Sequence, residues 1–195
     1  MSNTKSLNTL YDKYRNQFRD KEIVLGAGNI DTRIILIGEA PGKDEVRLGK
    51  PFVGAAGKNL SEFLNIVGIQ REDIFITNAI KYRLSKLNER TGRNINRPAT
   101  KIEINENRDY LISEIDIIKP EYIVTLGSVP LKSLLSNHGI CMGEHHGRLQ
   151  HIIIDSSAYK LYPLYHPASI IYNRSLKDIY IEDIKKLGSL IRDGD

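Results

Sequence analysis

Three polar side chains stand where their chemistry would matter most. Glu39 sits in the turn Gly38-Glu39-Ala40-Pro41-Gly42, Asn78 in Thr77-Asn78, and His166 in Tyr165-His166-Pro167. A carboxylate is an electrostatic partner for a cationic centre. An Asn amide offers one donor and one acceptor, which suits the edge of a base. A histidine can donate a hydrogen bond or stabilise negative charge. Each residue also has a plain reading: Glu39 as a solvent-facing turn residue, Asn78 as a helix cap or Asx turn, His166 as a structural histidine. What sets them apart is their coincidence, because each follows an apolar segment.

The elements that must position them alternate in type. Arg33–Gly38 (RIILIG), Asp73–Thr77 (DIFIT) and Glu121–Leu126 (EYIVTL) are short apolar runs of the kind found in strands buried on both faces. Gln150–Asp155 and Lys160–Leu164 read as a hairpin or two late strands. Between them, Lys58–Val67 has helical spacing at Leu60, Phe63, Leu64 and Val67. Thr100–Lys119 is a long amphipathic helix with Ile104, Leu111, Ile115 and Ile118 toward the core, stopped by Pro120. Val129–Leu135 and a closing helix Leu176–Ile191 complete the pattern. Alternating strands and helices imply an α/β fold of three layers, α/β/α, around a central, mainly parallel four-stranded sheet. Ligands then bind at the carboxyl ends of the strands, where Glu39, Asn78 and His166 emerge.

Length and composition narrow the classes. The chain has 195 residues, which fits one domain over 1–195, and a 27% charged, 41% hydrophobic composition is that of an ordinary globular protein. No apolar run approaches a membrane span, and MSNTKSLNTLYDKYRNQF has no apolar centre for a secretory signal, so a cytoplasmic protein with no membrane partner is expected. One cysteine, Cys141, cannot make an internal disulfide or a four-cysteine cluster; it reads as a small buried hydrophobe. His138, His145, His146 and His151 form no convincing metal site and read as structural or surface residues.

The net charge of +4 has an address. Lys81–Lys101 carries seven basic residues and one acid, a local +6, in a stretch whose Gly92, Pro98 and asparagines read as a loop. This is either solvated surface or a phosphate-contacting segment.

Five segments carry a family resemblance: Gly38–Leu60 (GEAPGKDEVRLGKPFVGAAGKNL), Ile76–Arg83 (ITNAIKYR), Ile95–Ile104 (INRPATKIEI), Pro120–Pro130 (PEYIVTLGSVP) and Tyr165–Ile171 (YHPASII). In order and spacing they resemble the uracil-DNA glycosylase superfamily, and most closely its family 4. The resemblance implies a monofunctional glycosylase of base excision repair that flips a nucleotide into a pocket and hydrolyses its base–sugar bond. It implies that Glu39 handles the attacking water near C1′ and His166 stabilises charge on the departing uracil. It places Asn78 on the uracil edge, Phe52 against the flipped base, and Glu45 near the guard against a thymine methyl. Gly38, Ala40, Pro41 and Gly42 complete the substrate wall. Lys81, Arg83, Arg90, Arg93, Arg97, Ser169, Arg174 and Leu176 are the expected DNA contacts, with Leu176 or Tyr172 as the wedge into the duplex. The implied partner is DNA containing uracil or a modified base, met by a monomer.

Four departures stand out. Family 4 holds a 4Fe–4S cluster on four cysteines; here those positions fall at Tyr82, Asn107 and, by an ungapped reading, near Tyr11 and Tyr14, so no cofactor and no metal are expected. The Lys81–Lys101 segment is longer than usual, with Asn96 where a cross-linking branch has a histidine, so covalent trapping is not expected. His146-Gly147 replaces the usual Arg-Gly. The segment after His166-Pro167-Ala168 is shorter. Two alternatives stay open on the sequence: a glycosylase for another modified pyrimidine, and a non-catalytic DNA- or partner-binding member.

Overall fold

The computed structural model describes residues 3–193. Its centre is a six-stranded sheet built from β1 (Ala27–Gly28), β2 (Ile34–Gly38), β3 (Phe75–Asn78), β6 (Tyr122–Leu126), β7 (Gln150–Ile154) and β8 (Ser157–Leu164), in the order β1-β3-β2-β6-β8-β7. The four interior strands are parallel, and the two edges, β1 and β7, pair antiparallel. The expected four-stranded parallel sheet is thus the middle of a wider one. The edge β1 has only two residues, both exposed, and so carries no apolar signal.

Both faces of the sheet are covered, because its strands alternate apolar residues to either side. Ile35 and Ile37 face one layer, with α1 (Asn3–Gln17), α4 (Lys101–Ile118) and α5 (Ser128–Leu135) supplying Leu7, Leu111, Ile115 and Leu131. Ile34 and Leu36 face the other, where α3 (Ala55–Ile66) and α8 (Leu176–Asp193) supply Leu60, Phe63, Ile184 and Leu187. Short helices α2 (Lys43–Leu48), α6 (Met142–His145) and α7 (Ser169–Tyr172) sit at the turns. Among the described residues no helix is long and apolar enough to cross a membrane.

Two sequence expectations need correction. The basic stretch is not an irregular loop: Ser85–Asn88 (β4) and Arg93–Asn96 (β5) form a separate antiparallel ribbon. Its strands are largely exposed on both faces, so burial gives no period-2 pattern to read. Its turn closes on Asn88, whose Oδ1 accepts from the Arg90 amide, and on Gly92 at φ +63°. Cys141 is exposed, not buried, because it stands just before the single-turn α6.

Helix α4 begins as its sequence demands. Thr100 is the N-cap; its hydroxyl accepts from the Glu103 amide, and the Glu103 carboxylate accepts from the Thr100 amide. Lys119 closes the helix in the left-handed region at φ +52°. Ile104, Leu111, Ile115 and Ile118 are buried as expected, but Asn107 and Glu114 are buried with them. Replacing the cap by alanine (Thr100→Ala) is expected to lower stability by about 1 kcal/mol, measured as a reduced urea midpoint at unchanged m-value.

Candidate active site

The parallel register brings three strand ends together. Gly38 at the end of β2 lies opposite Asn78 at the end of β3, and the turn after β8 carries His166. A cleft of about 320 Å³ opens there, at the small end of ligand pockets, lined by Ala40, Pro41, Glu45, Phe52, Asn78 and His166 among others. A second cleft adjoins it, sharing Ala40, Pro41, Asn96, His166 and Ala168, and has Glu39 in its wall. The polar residues singled out in the sequence are therefore assembled on one side of the sheet.

Glycines make that assembly possible. A Cβ on Gly38 would fall 2.5 Å from both Asn78 Oδ1 and Phe52 Cζ. Gly127, at φ +94°, leaves room for His166: a Cβ there would lie 3.2 Å from that of the histidine. Phe52 takes a left-handed backbone, φ +53°, that a bulky residue rarely adopts unless held. Arg71 holds it, donating to the carbonyls of Phe52 (3.0 Å) and Pro51 (3.2 Å). Glu45 holds the next two residues: its carboxylate accepts from the amides of Val53 (3.0 Å) and Gly54 (2.8 Å), and also of Gly42 (3.1 Å). Glu45 lines the cleft, yet its oxygens are engaged in stapling the Gly42 turn to the Phe52 turn.

The two titratable groups at the strand ends are both desolvated. Burial raises the Glu39 pKa above the ordinary carboxylate value, opposed by one hydrogen bond from the Ala99 amide to Oε1 at 3.1 Å. Burial lowers the His166 pKa to about 4, with the Glu45 charge opposing. His166 Nδ1 accepts from the Ala168 amide at 3.1 Å. That bond assigns the proton of the neutral ring to Nε2, which becomes a donor. The turn is fixed further by Asn59, whose Nδ2 donates to the Pro167 carbonyl, and by Ser169, whose hydroxyl donates to the His166 carbonyl at 2.6 Å.

A partly buried carboxylate, a histidine donor and an unengaged Asn amide thus stand at neighbouring strand ends, and comparison with known proteins decides the lineage. The chain matches the uracil DNA glycosylase superfamily over residues 25–186. It is 35% identical over 170 residues to the type-4 uracil-DNA glycosylase of Archaeoglobus fulgidus, covering 86% of this chain and 81% of that protein. Similarity to the type-4 enzymes of Thermotoga maritima (37% over 173 residues, 87% and 83% covered) and Sulfurisphaera tokodaii (37% over 182, 89% and 76%) is comparable. The chain belongs to the uracil DNA glycosylase superfamily.

Within the superfamily frame, several expected DNA contacts change meaning. Lys81 is not a surface contact; it is 1% exposed and paired with buried Glu114 at 2.9 Å, because its side chain points back into the layer between β3 and α4. Arg83 is turned inward onto Glu22 and Asn96. Arg97 forms a two-pronged bond with Glu103 at the start of α4. Lys86, Arg90 and Arg93 remain exposed on the ribbon and make no ion pair among the described residues. Arg174 is exposed; Leu176 is partly buried against the second core layer, and the side chain of Tyr172 lies outside the described part. His146 engages Asp183 at 2.7 Å and stacks on Tyr165.

The positions that would hold an iron–sulfur cluster do not fit one. The chain has a single cysteine, Cys141. Tyr14 donates its hydroxyl to Asn107, and Asn107 reaches the Tyr82 hydroxyl at 3.5 Å. Phe18 and Tyr110 pack on the Tyr14 ring. Tyr11, one turn away, donates to Glu114. Among the described residues no three metal-ligating side chains converge.

Sequence patterns do not reveal Arg71, Asn59 or Glu114 as parts of the site. No spacing rule marks them; Glu103 is marked only as the partner of the capping Thr100 three residues before it.

Stability against pH follows from His166. The ordinary value is 6.5 and the folded value about 4, so between these the unfolded chain binds the proton first. The wild type is therefore expected to lose stability as pH falls from 6.5 toward 4, and His166→Gln to lack that component. Denaturant unfolding at pH 7, 5.5 and 4 measures the difference. Burial raises the Glu39 pKa, so its charge opposes folding above the folded pKa and stops doing so as the group protonates. Glu39→Gln is expected to melt above the wild type at neutral pH in a thermal scan.

Proposed function

We propose that this protein is a uracil-DNA glycosylase that hydrolyses the bond between uracil N1 and C1′ of deoxyuridine in DNA. The observation that carries the reading is the placement of Glu39 and of His166, whose Nδ1 accepts from the Ala168 amide and so leaves Nε2 as the donor, in the walls of two adjoining clefts.

In this reading the flipped uracil enters the cleft lined by Asn78 and Phe52, against the Phe52 ring. The Asn78 amide meets its edge, accepting from N3–H and donating to O4. Cytosine offers the reverse pattern, an acceptor at N3 and a donor at C4, so both bonds fail as long as the amide keeps this orientation. The C1′–N1 bond breaks with its electron pair leaving on the base, chiefly at O2. His166 Nε2–H donates to that oxygen, a contact that strengthens as charge develops, worth roughly 3–4 kcal/mol in comparable sites. The sugar is left as an oxocarbenium ion facing the Glu39 carboxylate. Water adds to C1′, and Glu39 takes its proton. Uracil leaves as its anion and is later protonated by solvent.

Desolvation suits both groups. A carboxylate in a dry wall interacts more strongly with a sugar cation than one in water. A histidine held neutral gives a donor without a full positive charge on the free enzyme, and Glu45, engaged by three amides, keeps the mouth of the cleft in shape against a thymine methyl.

The ribbon β4–β5 supplies the phosphate contacts. Lys86, Arg90 and Arg93 stand exposed beyond the clefts, and a two-stranded ribbon is a form that a DNA groove accepts. The enzyme is taken to act as a monomer.

An oligonucleotide with one uracil tests the reading: alkali-labile cleavage is expected, with Glu39→Gln and His166→Ala each reduced by about 10²–10³-fold in single-turnover rate. Cleavage unaffected by both substitutions would sink the site. Parallel substrates carrying hypoxanthine or a modified cytosine report base preference. Replacing Lys86, Arg90 and Arg93 by glutamine should reduce the salt slope of DNA binding by about 0.9 for each phosphate no longer neutralised; an unchanged slope would assign the ribbon to solvated surface.

A further inference from the structure

Asn78 is nearly inaccessible, 2% exposed, and lines the base cleft. Among the described residues nothing hydrogen-bonds its side-chain amide, which faces the cleft; the buried hydroxyls of Thr77, Thr125, Ser133 and Tyr180 also lack a partner, but none of them lines it. Its backbone, by contrast, is firmly held. β3 ends at Asn78, and the following amides, of Ala79 and Ile80, go to the carbonyls of Gly38 and Glu39. The short edge strand β1 reaches only Phe75 and Ile76 on the other side. The donor to the Asn78 carbonyl is instead the Lys81 ammonium, at 3.0 Å.

That ammonium is itself locked. Glu114, 0% exposed, accepts from it at 2.9 Å, and the other Glu114 oxygen accepts from Tyr11. The Lys81 amide donates to the Tyr14 hydroxyl at 2.9 Å, and its carbonyl accepts from the Val24 amide at 2.8 Å. Burying an ion pair is a weak route to stability, since apolar side chains of similar volume usually do as well. What apolar side chains cannot do is hold a carbonyl.

We propose that the buried Lys81–Glu114 pair positions Asn78, fixing its peptide plane so that the free amide meets uracil in one orientation. Lys81 and Glu114 touch neither base nor sugar; they are specificity-determining positioning residues. The proposal rests on Asn78 reading the base edge. It accounts for the odd combination at one residue of a backbone tied to a buried cation and a buried side chain left open.

The test is the double variant Lys81→Met/Glu114→Met, which removes both charges at near-constant volume, so that neither is left unpaired. Inhibition by free uracil reports the base contact, binding of abasic-site DNA reports the rest of the interface, and a thermal scan reports the fold. Expected are a folded protein, a rise of about tenfold in the uracil inhibition constant, and a fall of about 10²-fold in kcat/KM on uracil DNA, the scale of a misplaced contact. Abasic-site affinity should stay within about twofold, since phosphate contacts are separate from base readout. Leu187→Ala, in the core layer on the other face of the sheet, controls for reduced stability; it should lower Tm without moving the inhibition constant. Asn78→Ala separates the two readings. If it leaves uracil inhibition unchanged, the base-reading assignment fails. If it weakens inhibition while the double variant matches wild type, the positioning role is overturned. A double variant that fails to fold, or that loses abasic-site and uracil affinity alike, makes the pair structural and also overturns it.

Discussion

The space beside Gly38 is the constraint on which the site depends. The β2–β3 register sets Gly38 opposite Asn78, and the volume a Cβ would take is filled from two directions by the Asn78 amide and the Phe52 ring. Residues from three separate segments thus share one van der Waals gap. The arrangement requires Phe52 to reach the gap with a left-handed backbone, a strain on the order of 1–3 kcal/mol. Arg71 and Glu45 act against its relaxation, and Gly57, where a Cβ would collide with the Phe52 carbonyl, leaves the room it needs. The loop is costly to hold and correspondingly well defined, which is what a base-stacking wall needs.

Around that gap the charges are sorted by environment. Glu39 and His166 are desolvated without a partner of opposite charge in hydrogen-bond reach, so burial moves each toward its neutral form. Lys81 and Glu114 are buried more deeply still but face each other. Lys86, Arg90 and Arg93 stand on a ribbon in water, where screening leaves their charge useful for attracting phosphates and of little use for stability. The Arg97–Glu103 pair belongs to neither group: it secures the segment before α4, and so the Ala99 amide that touches Glu39.

Much of this is legible in the sequence, for identifiable reasons. Ile34–Ile37 and Tyr122–Leu126 read as strands because both faces of a covered parallel strand are apolar. Glu39, Asn78 and His166 read as site residues because topology sends strand ends to one edge. The ribbon does not read as strands because no side of it is buried. Lys81 reads wrongly as a surface residue because charge usually means surface, and its partner, Glu114, lies 33 residues away. The same helix hides it: Asn107 and Glu114 occupy the inward stripe of α4, so an apolar count alone finds the helix and not its polar half. Arg71 acts on carbonyls, a role without any sequence signature.

The residues at the cluster positions explain why polar groups are tolerated in that stripe. A cluster ties four points of the chain together covalently; here the ties are hydrogen bonds and rings. Tyr14 accepts from the Lys81 amide and donates to Asn107, and Asn107 donates to the Glu103 carbonyl one turn back. Phe18, Tyr82 and Tyr110 close around them, with Phe18–Tyr82 centroids 5.1 Å apart. Phenylalanine could fill the volume of Tyr14 but would leave the Lys81 amide and the Asn107 carbonyl group without partners, so the hydroxyl is as necessary as the ring. Because Lys81 is the residue so held, the packing of α1 on α4 and the carbonyl of Asn78 belong to one connected set of bonds, and the aromatic cluster supports the base cleft as well as the fold.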